Sequence, residues 1–292
     1  MIVAIRLIIL YFCTIFFSTI SQADDDILSV ARAKIGKLGI KSSTAVVYDQ
    51  LSQKTLYEKN IQQVSSIASI TKLMTAMVIL DSGVPLLEPI KITRADIDRY
   101  KLSSSKLKVG SVLMRAEMLK LALMASENRA ASALARTFPG GKVAFVTEMN
   151  RKAMNLGMNH SRFVGSTGLR PGNVSTASDL VKLVSAAHSY PMIRRYTTAG
   201  SFKVEPSKGH RSWALQYVNT NRLVRSPRWE IGLSKTGYIR EAGRCLVMQA
   251  KIVDRPVIII LLDSWGKLTR IGDANRIRRW MESDFSRLRV SG

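Results

Sequence analysis

The chain is poor in cysteine, histidine and acidic side chains, and each shortage removes a class of function. Of its two cysteines, Cys13 falls in the apolar N-terminal run and only Cys245 lies beyond it. Once that run is removed no intramolecular disulfide can form, so the fold must rest on a core rather than on cross-links. The three histidines, His160, His188 and His210, stand in unrelated contexts. No zinc-type spacing, phosphate-cradling glycine loop or aromatic-interleaved basic motif occurs, so the sequence calls for no metal and no cofactor. Nor is there an internal repeat, a low-complexity linker or, after residue 23, an apolar run long enough to span a bilayer.

The shortage of acids is the strongest of these. With 44 Lys and Arg against 21 Asp and Glu the formal net charge is +23. The basic residues are scattered, as in RAKIGKLGIK, RLVRSPR and RIRRW, rather than gathered in a tail. In a cytosolic protein that balance would suggest nucleic acid. The N-terminus points elsewhere: MIVAIRLIILYFCTIFFSTISQA has one Arg, a long apolar stretch and small residues at Ser21 and Ala23. That is the pattern of a cleaved secretory signal over residues 1–23, with a retained membrane-spanning helix as the alternative. Export to the periplasm makes an anionic envelope polymer, or peripheral attachment to a membrane surface, the expected partner, and excludes nucleic acid.

Residues 24–292 are long enough to enclose a sizeable core. After a short amphipathic helix near Ile27 to Leu38, the runs Ser43 to Tyr48 and Thr55 to Lys59 read as a β-hairpin. From about 85 to 200 the pattern turns helical, with segments at Met114 to Ala125, Asn128 to Thr137, Lys142 to Leu156 and Thr176 to Ser189. Thr176 followed by Asp179 is a capping-box signature. Strand patterns return at Ser201 to Val204, Arg211 to Val218, Glu230 to Thr236, Arg244 to Val253 and Val257 to Leu262. A closing helix from Asp273 to about Leu288 carries an apolar stripe through Ile277, Trp280 and Met281. The architecture expected is α+β: an antiparallel sheet with terminal helices and an inserted helical subdomain. Packing against the sheet is expected of the closing helix, rather than lying on a membrane.

The stretch Ser65 to Asp81, SSIASITKLMTAMVILD, carries the chemistry. Ile70, Leu73, Met74, Met77 and Leu80 form a helical stripe, so a buried helix is expected to start near Ser69 and to bring Lys72 one turn away. A serine hydroxyl needs an adjacent base, and a lysine can be that base when desolvation lowers its pKa. Ser-x-x-Lys also begins at Ser103, Ser105 and Ser264. The polar run SSSKLK reads as solvated loop, and only Ser69 opens an apolar helix. Two further motifs occur once each: Ser126-Glu127-Asn128 between two helical patterns, and Lys235-Thr236-Gly237 at the end of a strand pattern.

Ser-x-x-Lys, Ser-x-Asn and Lys-Thr-Gly, in that order on helix, loop and strand, resemble the signature of the penicillin-recognising serine acyltransferases. The segments NRKAMNLGMNHSRFVGSTGL, NVSTASDL, KTGYIREAGRC and GKLTRIGDANRIRRW look like the low-molecular-mass D-alanyl-D-alanine endopeptidases, a group related to the D-alanyl-D-alanine carboxypeptidases. The resemblance implies the β-lactamase/transpeptidase-like fold, peptidoglycan as substrate and β-lactam antibiotics as covalent inhibitors. It implies Ser69 as nucleophile, Lys72 as its base and Ser126 as proton relay. Asn128 would hold the substrate amide, and Lys235 and Thr236 a carboxylate or the equivalent group of penicillin. Gly237 would let the strand backbone approach the substrate closely, and the Tyr238 backbone N–H would be the second donor to the oxyanion. Many carboxypeptidases have Gly where this chain has Glu127, whose carboxylate would then fall on the leaving-group side. A class A β-lactamase would add a Glu-x-x-Leu-Asn segment, absent here. The alternatives are a carboxypeptidase or a non-catalytic module that binds the cell wall.

Overall fold

The computed structural model describes residues 38–290, with the side chains of 285–290 excepted. The signal and the helix expected before residue 38 lie outside them.

A five-stranded antiparallel sheet forms the frame, in the order Glu230–Ile239, Gly243–Ile252, Arg255–Ser264, Thr44–Asp49, Lys54–Lys59. The first hairpin thus pairs with the last strand, Thr44 opposite Leu262 and Asp49 opposite Val257. Strand Arg255–Ser264 reads PVIIILL because both faces of the sheet are covered, and alternate residues enter different cores. Ile258, Ile260 and Leu262 join the large core under the helical region. Val257, Ile259 and Leu261 join a second core with Ala274, Ile277, Trp280 and Met281 of the closing helix, Thr269–Val290. That helix packs on the sheet, as its stripe predicts. It begins four residues before Asp273, which is fully buried. The Asp273 carboxylate instead accepts from the backbone of Lys41 and Ser42 and from Ser42 Oγ at 2.7–3.1 Å, tying the entry of the first strand to the last helix.

The helical region contains Arg115–Met124, Asn128–Arg136, Gly141–Asn155 and Ala177–His188, within one or two residues of the expected limits. An unforeseen helix, Pro191–Thr197, starts with proline at its first turn, where the missing N–H costs nothing. The capping box at Thr176 is only half formed. Thr176 Oγ1 accepts from the Asp179 backbone N–H, while the Asp179 carboxylate turns to His160 N, Ser161 Oγ and Lys182. The strands between 201 and 218 do not extend the main sheet. Ser201–Val204 pairs only with Leu215–Val218, and Ser207–Lys208 and Arg211–Ser212 join Pro89–Lys91 and Val112–Met114 in a small sheet. Alternation predicts a strand but not its partner.

Helix Thr71–Asp81 runs through the middle of the larger core. The one-sided stripe expected for it is too modest, since every residue from Thr71 to Ile79 is buried, Lys72 included. It is the central helix on which Arg115–Met124, Asn128–Arg136, Gly141–Asn155 and Ala177–His188 pack.

Candidate active site

Ser69 lies on a 3₁₀ turn, Ala68–Ile70, that leads straight into helix Thr71–Asp81. Lys72, fully buried, therefore points back at it: Lys72 Nζ is 2.7 Å from Ser69 Oγ, 2.8 Å from Asn128 Oδ1 and 2.7 Å from the carbonyl oxygen of Thr167. Burial pushes the Lys72 pKa down to about 7, with the Glu127 carboxylate opposing. In all three contacts Lys72 Nζ donates. Loss of one proton leaves two N–H groups for the two carbonyl oxygens and a lone pair that can accept the hydroxyl proton of Ser69.

The Thr167 carbonyl belongs to the loop Gly165–Leu169 within the run FVGSTGL, and as a backbone group it leaves no signal in the sequence. Gly168 has φ +78°, and a β-carbon there would stand 1.9 Å from the Ala68 carbonyl oxygen. Ala68 itself has φ 45°. The turn that presents Ser69 is thus held in a sparsely populated conformation by a loop with no room to move.

Ser126 is a second non-glycine residue at positive φ, 59°, between helices Arg115–Met124 and Asn128–Arg136. Its Oγ accepts from Lys235 Nζ at 3.0 Å. Asn128 is clamped at both ends, its Oδ1 by Lys72 and its Nδ2 donating to Ser103 Oγ at 3.0 Å. Ser103 thus belongs to the site, although its polar surroundings read as solvated loop. Glu127 does not line the cleft, contrary to the expectation that it faces the leaving group. Its side chain is buried, caps helix Asn128–Arg136 through the Arg129 N–H and, with burial the larger cause, raises the Tyr217 hydroxyl pKa.

Strand Glu230–Ile239 closes the other side. Lys235 is buried and donates to Ser126 Oγ and to the Thr236 carbonyl. Its pKa lies well below that of an ordinary lysine, first through burial, then through the charges of Lys72 and Arg270. For Lys72 it is burial that does the lowering, as a buried helix start predicts. Thr236 Oγ1 bonds Thr220 Oγ1 at 2.7 Å. A β-carbon on Gly237 would stand 3.0 Å from Ala68 Cβ and 3.1 Å from Ser69 N. This glycine is required by the approach of the strand to the serine turn, not only by a ligand. Tyr238 is exposed, with the Arg244 guanidinium 4.5 Å from its ring centre.

Ser69, Ser126, Asn128, Thr236, Gly237 and Tyr238 line one open cleft of about 700 Å³. Lys72 and Lys235 sit beneath it. Lys101 and Glu241 join across its mouth at 2.6 Å, and Glu241 is the sole carboxylate among the described residues lining it. Two buried low-pKa lysines, each on a serine hydroxyl, can pass protons to and from a reacting group while a strand edge and an amide orient it.

A serine hydroxyl held by a buried lysine on this sheet-and-helix frame defines the class of the penicillin-binding serine acyl-transfer enzymes. A solved representative, the Streptomyces K15 DD-transpeptidase, superposes with a TM-score of 0.77 at 28% identity, covering 85% of this chain and 98% of its own. Penicillin-binding protein D2 of Listeria monocytogenes, in its ampicillin-bound form, gives 0.71 at 29% identity, covering 84% and 98%. A D-alanyl-D-alanine endopeptidase of Pseudomonas aeruginosa is 47% identical over 244 residues, 84% of this chain and 78% of the relative. Residues 30–265 match the D-alanyl-D-alanine carboxypeptidase family of S11 peptidases, and the chain belongs to that family.

Proposed function

We propose that this chain is a serine DD-peptidase that cleaves the D-Ala–diaminopimelate cross-links of peptidoglycan through an acyl-enzyme. The observation that carries the reading is the Lys72 amine, buried, brought to a pKa of about 7 and 2.7 Å from Ser69 Oγ.

In the first half-reaction Lys72 takes the Ser69 proton as Oγ attacks the D-Ala carbonyl carbon, and the carbonyl oxygen becomes an oxyanion beside the Ser69 and Tyr238 backbone N–H groups. The C–N bond then breaks. The leaving amine takes the Ser126 proton, which the lysine pair beneath replaces. Ser126 can donate because Lys235 supplies the hydrogen bond its oxygen accepts. Asn128 orients the substrate amide, and Lys235 with Thr236 binds a carboxylate or the corresponding group of penicillin. Water, with Lys72 again as base, releases the acyl group in the second half-reaction.

The same ester forms with β-lactams. Glu241, the one carboxylate among the described residues lining the cleft, is tied to Lys101, so none of these residues offers a free carboxylate to activate a deacylating water, and the penicilloyl ester is long-lived. The likeness to an endopeptidase at 47% identity favours a side-chain amine as the leaving group over free D-Ala. The basic surface suits a polymer that carries free carboxylates. The site of action is the periplasm, reached by a leader over residues 1–23, with residues 24–292 as the peptidase domain. No helix among the described residues is long and apolar enough to cross a membrane.

The test is digestion of purified peptidoglycan by the intact enzyme, with identification of the fragments. Conversion of cross-linked dimers to monomers is expected. Release of D-Ala from pentapeptides with dimers left intact would replace the endopeptidase reading by a carboxypeptidase.

A further inference from the structure

The cleft does not end at Asn128. Asn128 and Leu169 also line a second groove of about 1030 Å³, which runs beneath residues 94–100 to the first turns of helix Gly141–Asn155. Thr236, Gly237 and Tyr238 line only the first cleft, so the second groove leaves Ser69 on the side away from the strand that would take the substrate carboxylate. Its volume suffices for several residues of extended peptide.

Its charge is unbalanced. Arg94, Arg99, Lys142 and Arg170 line it against two acids, Asp96 and Asp98, and both acids are already engaged. Asp96 is buried and accepts from Arg136 Nε and Nη2, from Ser132 Oγ and from Thr93 N. The Asp98 carboxylate accepts the backbone N–H groups of Tyr100, Lys101 and Ser103. Lys142 donates to the Ala95 carbonyl at 2.8 Å. The guanidinium groups of Arg94, Arg99 and Arg170 are exposed and have no acceptor among the described residues. Burial lowers the Lys142 pKa, Asp96 opposes, and the charges of Arg136 and Arg170 add to the lowering, so Arg136 and Arg170 are each close enough to repel Lys142. The N-terminus of helix Gly141–Asn155, which no side chain caps, adds partial charge of the same sign.

We propose that this groove is the subsite for the acyl-donor peptide stem, an extended anionic peptide whose free carboxylates meet Arg99, Lys142 and Arg170 while its scissile carbonyl lies at Ser69. The assignment rests on Ser69 as the acylated residue. Unpaired cations in a walled groove gain most from a ligand that supplies carboxylates. A penicillin, which needs only the first cleft, does not reach them.

The test is charge reversal at the two exposed arginines, Arg99→Glu with Arg170→Glu, in the otherwise intact protein. With a cross-linked disaccharide-tetrapeptide dimer at low salt, kcat/KM is expected to fall about tenfold or more, because like charges would then face each other. Second-order labelling by fluorescent penicillin should stay at the wild-type rate. The loss should shrink when the stem carboxylates are amidated. Unchanged dimer turnover would overturn the proposal. So would penicillin labelling that falls in parallel, which would mean that the arginines shape the cleft itself, or a loss equally large on the amidated dimer, which would point to the glycan or to shape. If the wild type trims pentapeptides only, the endopeptidase reading fails alone. The same comparison on pentapeptide, which carries the same stem carboxylates, still decides the groove.

Discussion

Gly168 lies so close to Ala68 that a β-carbon on the glycine would stand 1.9 Å from the Ala68 carbonyl oxygen, one residue before Ser69. One contact thus fixes two things. It holds the serine turn in its positive-φ conformation, and it sets the position of the neighbouring Thr167 carbonyl, which accepts from Lys72.

Gly168→Ala is therefore expected to damage stability and chemistry together. Positive φ and the overlap with backbone should cost about 2 kcal/mol or more, seen as a lower urea midpoint. Acylation by penicillin should fall on the order of 100-fold, because Lys72 loses its alignment. A variant with wild-type labelling would show that the loop is free to retreat without disturbing Ser69.

Lys72→Arg keeps the charge but cannot give up a proton at any working pH. Acylation should drop by roughly 10²- to 10⁴-fold, the usual contribution of a general base. In the wild type the acylation rate should rise with pH and reach half its plateau near pH 7, where the buried amine becomes neutral. A rate independent of pH across that range would reduce Lys72 to an electrostatic role.

Glu127→Gln tests the influence that opposes burial at Lys72. The amide keeps an oxygen for the Arg129 N–H, so the helix cap survives, but the negative charge that raises the Lys72 pKa is lost. The half-maximal pH for acylation should move to more acid values, with the plateau rate little changed. No movement, or movement to higher pH, would show that the carboxylate does not act on the amine.

The three motifs were legible in the sequence because each is a local pattern on an element whose period is also local: a helix start, an interhelical turn, a strand end. What brings them together was not. The Thr167 carbonyl is a backbone group, and its role depends on Gly168 packing against a residue far away in the sequence. The polar run SSSKLK reads as solvated loop, yet the Ser103 hydroxyl holds Asn128. Glu127 occupies the variable place of Ser-x-Asn, and only its buried, cap-forming conformation turns it away from the cleft. Alternation identifies each strand singly, and the strands within 201–218 share it while pairing outside the main sheet. Burial of both sheet faces accounts for PVIIILL, where no polar residue alternates.

The cost of holding Lys72 can be measured apart from catalysis, by comparing the stability of wild type and Lys72→Met as a function of pH. The lysine has a folded pKa of about 7 against an ordinary value of 10.5. Between these values the unfolded chain binds a proton that the folded chain does not, so wild-type stability rises with pH across that window. Below about pH 7 the amine is charged in both states and the full burial cost is present. The methionine variant carries no such cost. It does leave the partly buried Asn128 Oδ1 and Thr167 carbonyl without the lysine donor, a loss that is the same at every pH. Whichever protein is the more stable, the difference between them should move in favour of the variant as pH falls from about 10 to 7. The slope is close to 1.4 kcal/mol per pH unit, and the difference levels off below that. Lys235 stays in both proteins, so the burial part of its shift cancels, while its repulsion from a charged Lys72 is present only in the wild type and moves the difference in the same direction. Urea denaturation at a series of pH values gives the curve directly. A flat difference would mean that Lys72 remains an ammonium ion in the folded protein at neutral pH, and an ammonium ion cannot take the proton of Ser69.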